Sequence, residues 1–323
     1  MRKKYYIGID MGATNTKYAL LDKNARIKVK KVIATTSYKN EYEFVSISRD
    51  IIYGILREFK LKRGEIFGTG IGAPGAIDSV KGVVHYFVNI RGWEKVPLKK
   101  MMESKIKIPT YADNDASVMT MGEFYYGAGK GTRNMIGLTL GSGVGGGLIL
   151  EGKIYRGAAL AGGEIGHIPI NVIGPKCLCG GSGCMEAYIG NKYIIRRTIK
   201  EIKGKKTIIK KLVKGKVRRI TPKIIYEAAK HRDKIAIRIL KDTGVYLGIG
   251  LSGIINLLNP EIIVIGGGVA NAGRFIFDSV KETIKKRAMP LPAKTVRIAK
   301  AKLGEDAGVI GAVALVKEKQ ERL

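Results

Sequence analysis

Three cysteines, Cys177, Cys179 and Cys184, fall within eight positions of the stretch CLCGGSGCME, and the 323-residue chain has no others. An odd number of thiols cannot form a fully paired disulfide framework, and the C-x-x-C spacing of a redox pair is missing. With His167 the set reads H-x9-C-x-C-x4-C, three thiolates and one imidazole, a donor set suited to tetrahedral zinc although the spacing is not that of a common zinc finger. Four protein donors would close the shell and leave no place for an activated water, so the expected ion is structural. The other histidines, His85 and His231, read as surface or local packing residues.

Glycine-rich turns suggest phosphate handling. The first carries Asp10, Gly12, Thr14, Asn15, Thr16 and Lys17; the second carries Gly141, Ser142 and Gly143; a third, IGGGVANAG, carries Gly266, Gly267 and Gly268. Glycines let backbone N–H groups approach phosphate oxygens, and threonine and serine hydroxyls add donors. Asp10, at a strand end, could hold a hydrated Mg²⁺, the usual partner of transferable phosphates. There is no G-x-x-x-x-G-K-[ST] loop, and no G-x-G-x-x-G opening a helix. Singly, each turn reads as a plain hairpin; repeated, they point to phosphate binding. Another polar turn, YADNDAS, places Asp113, Asn114 and Asp115 ahead of a helix, where the aspartates taken alone read as helix capping.

These turns need elements to hold them. Tyr5 to Asp10 and Thr16 to Leu21 have the spacing of two strands across a glycine turn. Val45, Ile47, Ile51, Ile52, Ile55, Leu56 and Phe59 form one helical stripe over 43–60. IFGTGIGAPGAID reads as a buried strand entering a Gly/Pro loop, and NMIGLTLGSGVGGGLIL as two apolar strands around a glycine turn. Residues 186–258 read as mainly helical, with Thr221 as N-cap and Pro222 at the first helical position of one helix. EIIVIGGGVANAG predicts a fully buried strand, and GVIGAVALVKEK a terminal helix with small residues on its packing side. IGIDMGATNTK and IGLTLGSGVGG make the halves look duplicated, with no low-complexity linker, so their interface is expected to be a cleft.

Composition sets limits. The chain is 45% hydrophobic, too high for disorder, and its length suits two domains. No signal peptide or apolar span is legible, so cytoplasm is the expected location, with no membrane partner. Lys+Arg total 58 against 27 Asp+Glu, a formal charge of +31. The excess is spread along the chain, peaking at 200–223, where lysines alternate with apolar residues as in a solvated amphipathic helix. The aromatic interleaving of a single-strand binder is missing, so nucleic acid is not the expected partner. Lysine- and isoleucine-rich usage fits a hot habitat.

The paired turns resemble the actin-like ATPase superfamily, which includes sugar kinases and heat-shock ATPases. Within it, LTLGSGVGGGLILEGKIYRGAALAGGEIGH followed by CLCGGSGCME closely resembles the ROK family of repressors, uncharacterised frames and sugar kinases, from Asp10 to the C-terminal helix. The resemblance implies an α/β fold of two ribonuclease-H-like (actin-like ATPase) domains flanking a cleft, with a structural zinc loop. The smaller domain is expected at 1–118 closed by 304–323, and the larger at 119–303. It also implies ATP with Mg²⁺ at the glycine turns, structural Zn²⁺ on His167, Cys177, Cys179 and Cys184, and a homodimer or homotetramer.

By the same resemblance, Asp115 is the general base and Asn114 orients the sugar ring. Asn89 in VNIRGW reaches a ring hydroxyl, GAPG (Gly72 to Gly75) lays backbone against the sugar, and Glu164, His167 and Glu186 contact it. Several carboxylates converging on a polyol would leave buried acceptors unpaired if a hydroxyl were lacking. Three departures stand out: Ser142 where many relatives have threonine, bulky Tyr86 and Phe87 leading into Asn89, and the lysine-rich 200–220 segment.

The expected activity is ATP-dependent phosphorylation of a hexose, glucose first, at its primary hydroxyl to give the 6-phosphate, as in glycolysis. An N-acylhexosamine kinase (N-acetylmannosamine or N-acetylglucosamine) is the rival reading, with fructokinase behind it. Sugar-responsive repressors of the family carry a helix-turn-helix ahead of the first phosphate turn, for which the residues before Asp10 leave no room. The sugar-facing residues and zinc set speak against a chaperone-type ATPase.

Overall fold

The computed structural model describes residues 3–86 and 93–321. The chain divides into two compact units. One comprises residues 1–133, 147–163 and 302–323, and the other 134–146 and 164–301.

In chain order the first segment holds β1 (Tyr5–Met11), β2 (Asn15–Asp22), β3 (Ile27–Ala34), α1 (Glu41–Glu58), β4 (Ile66–Ala73), β5 (Ala76–Asp78), β6 (Val83–Tyr86), β7 (Glu94–Val96), α2 (Leu98–Ile106), β8 (Thr110–Asn114) and α3 (Asp115–Tyr126). Its main sheet runs β3-β2-β1-β4-β8. The β1–β2 pair is antiparallel, while β1–β4 and β4–β8 are parallel, so the ends of β1, β4 and β8 share one edge. Asp10 pairs with Gly72, and Gly72 with Asp113, which sets the first glycine turn, the GAPG loop and the YADNDAS turn side by side. β3 is an edge strand that exposes Lys28, Lys30 and Lys31, charges that discourage edge-to-edge pairing.

One face of this sheet packs on α1 through Phe44, Ile52, Ile55 and Leu56, with buried Trp93 edge-on to Phe44 at 5.7 Å. The helix covers 41–58, two residues earlier than its apolar stripe suggests, because Asn40 caps it by accepting from Glu43 N–H. The other face receives the C-terminal helix, α11 (Ala307–Glu321). There a Cβ on Gly8 would lie 2.5 Å from the Val309 carbonyl oxygen, and one on Gly70 2.2 Å from that of Ala312. Glycine on the strands is what lets helix backbone lie against sheet backbone.

The remaining elements are β9 (Met135–Leu140), β10 (Val144–Leu150), β11 (Lys153–Tyr155), α4 (Glu186–Ile189), α5 (Asn191–Glu201), α6 (Ile208–Leu212), α7 (Pro222–Lys230), α8 (Lys234–Leu258), β12 (Ile262–Gly266), α9 (Arg274–Arg287), α10 (Pro290–Thr295), β13 (Arg297–Lys300) and α11 (Ala307–Glu321). The second sheet runs β11-β10-β9-β12-β13, with β12 parallel to both β9 and β13 and buried along its whole length. Thr221 caps α7 by accepting from Ile224 N–H, and Pro222 opens it, as its sequence requires. α8 packs on α9 where a Cβ on Gly244 would meet the Ile276 carbonyl oxygen at 2.4 Å.

The lysine-rich 200–223 segment is not one amphipathic helix. The end of α5, short α6 and a 3-10 turn at Val217–Arg219 share it, broken where Gly204 and Gly215 take φ of 70° and 74°. Positive φ ends a right-handed helix, and glycine makes the break inexpensive.

Candidate active site and metal centre

Asp115 opens α3, and Asn114 is its N-cap. Asn114 Oδ1 accepts from Ala116 N–H at 3.0 Å and Ser117 N–H at 3.2 Å, while its Nδ2 donates to the Gly75 carbonyl oxygen at 3.1 Å. Asp115 is half-buried, and its Oδ1 accepts from Ala116 N–H at 2.8 Å. The helix start thus fixes a carboxylate at the strand edge. Gly75, with φ 105°, is where the GAPG loop must turn and meet Asn114.

Asp113 is buried behind this pair. Its Oδ1 accepts from Asn114 N–H and its Oδ2 from Arg156 Nε, each at 2.8 Å. Arg156 also forks onto Glu318 of α11, with Nη1 to Oε1 at 3.2 Å and Nη2 to Oε2 at 2.8 Å. Burial raises the Asp113 carboxyl above its ordinary value, and Arg156 opposes that shift. Burial works against the Arg156 charge, but Asp113 and Glu318 outweigh it and hold the guanidinium above its usual range. Sequence reasoning saw in Asp113 at most a helix cap, which the structure assigns to Asn114, and missed Arg156 altogether; a lone arginine after a short strand carries no motif. It also missed Glu123, fully buried on α3, whose carboxylate accepts from Ala128, Lys302 and Leu303 N–H at 2.8, 3.1 and 2.7 Å.

At the end of β1 the first turn closes with Gly12 N–H donating to the Asn15 carbonyl at 3.0 Å, and Thr35 Oγ1 donating to the Gly12 carbonyl at 2.7 Å. Thr14 and Asn15 are exposed. Thr16 is buried, and its hydroxyl is bonded to Tyr38 at 2.8 Å and Thr35 at 3.3 Å. Lys17 Nζ sits 3.6 Å from Asp10 Oδ2. Burial raises the Asp10 carboxyl, Lys17 lowers it, and Asp306 adds to the rise. A Cβ on Gly308 would come within 2.4 Å of Asp10 Cγ, so α11 gives the carboxylate room only by having glycine there.

In the second unit, Gly141 N–H donates to the Gly143 carbonyl at 3.0 Å, and Ser142 is exposed. Gly267, with φ 86°, lies against β9: a Cβ there would fall 2.3 Å from the Leu140 carbonyl oxygen. The Gly266–Gly268 turn thus abuts the strand that enters the Gly141–Gly143 turn. The two glycine turns thus lie next to each other within the second unit.

His167, Cys177, Cys179 and Cys184 place one donor atom each within 4.8 Å of one another. Cys179 Sγ to Cys184 Sγ is 3.6 Å, as is Cys177 Sγ to His167 Nδ1. Those edges fit a tetrahedron with Zn–S of ~2.3 Å and Zn–N of ~2.0 Å. Burial first, and then the neighbouring thiols, push Cys184 up to about 12. Three crowded sulfurs favour a divalent cation that stabilises their thiolates. The loop holds these donors in place: Cys177 N–H donates to the Gly181 carbonyl at 2.9 Å, Pro169 bridges to Cys184, and Gly180 and Gly183 take φ of 93° and 71°. His167 presents Nδ1 to the thiols, and its Nε2 lies 3.9 Å from the Glu164 carboxylate. Glu186, which opens α4, has Oε1 3.9 Å from Cys177 Sγ and Oε2 2.9 Å from Val144 N. Asn89 lies outside the described residues. His85 and His231 are exposed.

A model of the ROK family matches residues 6–319. The chain belongs to the ROK family. This ROK chain is 36% identical to a glucokinase of Halalkalibacterium halodurans, over 100% of its own length and 98% of the relative's. A glucokinase of Thermotoga maritima is 34% identical over 99% of each chain. Among solved structures, a ROK family glucokinase from Streptomyces griseus in complex with glucose and AMPPNP superposes with a TM-score of 0.83 at 28% identity, covering 97% of this chain and 99% of that one. The ROK fold is mixed α/β and of the actin-like ATPase type. Among the described residues, no helix is long and apolar enough to cross a membrane.

Proposed function

We propose that this ROK chain is an ATP-dependent hexose kinase, with glucose as first substrate and the sugar 6-phosphate as product. The observation that carries the reading is the helix-capped Asn114–Asp115 pair, held against Gly75 on the sheet edge that also bears Asp10. Full-length similarity to glucokinases supports it.

Asp115 accepts the proton of the sugar's primary hydroxyl as its oxygen attacks the γ-phosphorus of ATP. The bond to the β,γ-bridging oxygen breaks and ADP leaves. A positioned base contributes roughly 10²–10⁴-fold. Phosphoryl transfer is loose, so positioning and charge neutralisation carry much of the rest. The glycine turns at 12–17, 141–143 and 266–268 supply backbone and hydroxyl donors to the nucleotide, and Asp10 is the residue that would hold Mg²⁺, which neutralises phosphate charge when bound. Asn114, Glu164, His167 and Glu186 bind sugar hydroxyls. His167, Cys177, Cys179 and Cys184 would hold a structural zinc, and that loop would fix His167 and Glu186 in place.

A coupled assay for ADP release tests this across glucose, mannose, fructose, N-acetylglucosamine and N-acetylmannosamine. Glucose is expected to give the highest kcat/KM. Highest turnover on an N-acetylated sugar would make the chain an N-acylhexosamine kinase, and no sugar-dependent ADP release would end the kinase reading.

A further inference from the structure

The buried triad Asp113–Arg156–Glu318 takes no part in the reaction as written, yet it abuts the residues that do. We propose that Arg156 is a positioning residue which, acting through Asp113, aims the Asn114–Asp115 pair. The inference rests on the reading of Asp115 as the base.

The contact path is short. Arg156 Nε holds Asp113 Oδ2 at 2.8 Å, and Asp113 Oδ1 holds Asn114 N–H at 2.8 Å. That second bond fixes the last peptide of β8, from which Asn114 and then Asp115 project. Asn114 passes the constraint on in two directions, to the first turn of α3 through Ala116 and Ser117 N–H and to the GAPG loop through Gly75. A shift of Asp113 therefore moves the base and the sugar loop together.

Arg156 is itself fixed from two sides. Its fork on Glu318 ties it to α11, and its carbonyl accepts from Gly162 N–H at 2.7 Å. A Cβ on Gly162 would fall 2.9 Å from the Arg156 carbonyl carbon, so the loop that leaves Arg156 folds back on it. The side chains of Arg156 and Asp113 are 8% and 3% exposed, which keeps water from substituting for either. A guanidinium can serve both acids because Nε–H and the two Nη groups face different edges. Lysine carries the same charge at one point and cannot span them.

A triad that merely stabilised the fold would affect melting, not turnover. The test is therefore Arg156→Lys, followed by the double variant Asp113→Asn with Arg156→Gln, whose amides can rebuild the path. The introduced asparagine can accept from Asn114 N–H and donate to the introduced glutamine, whose amide ends where Arg156 Nε stands and so rebuilds the Asp113 side of the path without the fork on Glu318. Parent turnover, measured first, decides the proposed function; the ratio of variant to parent decides the triad. Arg156→Lys is expected to lower kcat by about tenfold or more, with KM for sugar and ATP within about threefold, since small misplacement of a reacting group is costly in rate. The double variant is expected to recover most of that loss. If Arg156→Lys keeps kcat near the parent's while Tm falls, the triad only holds the fold and the inference is overturned. Loss confined to sugar affinity, or loss the double variant does not repair, overturns it too. A parent without turnover removes the base reading and this inference with it.

Discussion

Glu186 accepts the Val144 N–H through Oε2 at 2.9 Å. The residue that follows the cysteine cluster so closely is thus also a bracket for the glycine turn ahead of β10. A Cβ on Gly143 would fall 2.5 Å from the same oxygen, so the turn lies flush against the carboxylate. The loop is braced again where Asn191 N–H donates to the Gly141 carbonyl at 3.0 Å.

Substitution at Glu186 should therefore affect both substrates. Glu186→Ala removes the carboxylate proposed to bind sugar together with the Val144 acceptor, and a lost hydrogen bond to a charged group is worth about 1.5–3 kcal/mol. KM for sugar and KM for ATP are both expected to rise, each by roughly tenfold or more at that magnitude. Glu186→Gln keeps a neutral acceptor for Val144 and should spare the ATP KM while still raising that for sugar. Steady-state kinetics with each substrate varied in turn separate the two, and an unchanged ATP KM in Glu186→Ala would remove the bracket.

Metal removal should act through the same loop. Cys179→Ser deletes one donor of four, and elemental analysis is expected to find about one zinc per chain in the parent and far less in the variant. If His167 ligates the zinc as proposed, and since Glu186 follows Cys184 closely, sugar affinity by calorimetry should fall together with the zinc content. A zinc-free sample that binds sugar as the parent does would uncouple the loop from the site.

Much of this arrangement was readable in the residues. Cys177, Cys179, Cys184 and His167 announce themselves by type and spacing, and their donors do converge. The β1–β2 turn and Thr221–Pro222 follow from local stereochemistry, which acts over a few residues and so is visible in a few residues. What stayed hidden depends on distant partners. Arg156 matters because Asp113 and Glu318, far away in sequence, close on it. The helical reading of 200–223 followed apolar alternation and overlooked Gly204 and Gly215, whose positive φ breaks it. Gly8 and Gly70 fall inside strands legible in the sequence, but only α11 shows what their lack of a side chain admits.

Asp115→Asn should separate binding from chemistry. Asparagine keeps an oxygen for Ala116 N–H, so α3 should start unchanged. It cannot take a proton, and kcat is expected to fall by about 10²–10⁴-fold. Sugar affinity, measured calorimetrically without ATP, should stay within about threefold, since only the proton transfer is removed. Turnover close to the parent's would take the base role from Asp115.

Asp233 gives a stability prediction with a defined pH sign. It caps α8 by accepting from Ala236 N–H at 2.9 Å, and its other oxygen accepts from Ile208 N–H at 2.7 Å and the Thr207 hydroxyl at 2.5 Å. Burial alone would raise this carboxyl, but the donors outweigh it and hold it below the ordinary 3.8. The unfolded chain then takes up its proton at higher pH than the folded one, so the contribution is complete above pH 3.8 and shrinks as pH falls through the lower folded value. Asp233→Ala should cost about 1–2 kcal/mol at pH 7, the usual loss for a helix cap. Denaturant midpoints of parent and variant at pH 7, 4 and 3, at matched ionic strength, should converge on acidification, at ~1.4 kcal/mol per pH unit at most. A gap that widened towards pH 3 would mean that the carboxylate opposes folding, and the sign assigned to Asp233 would be reversed.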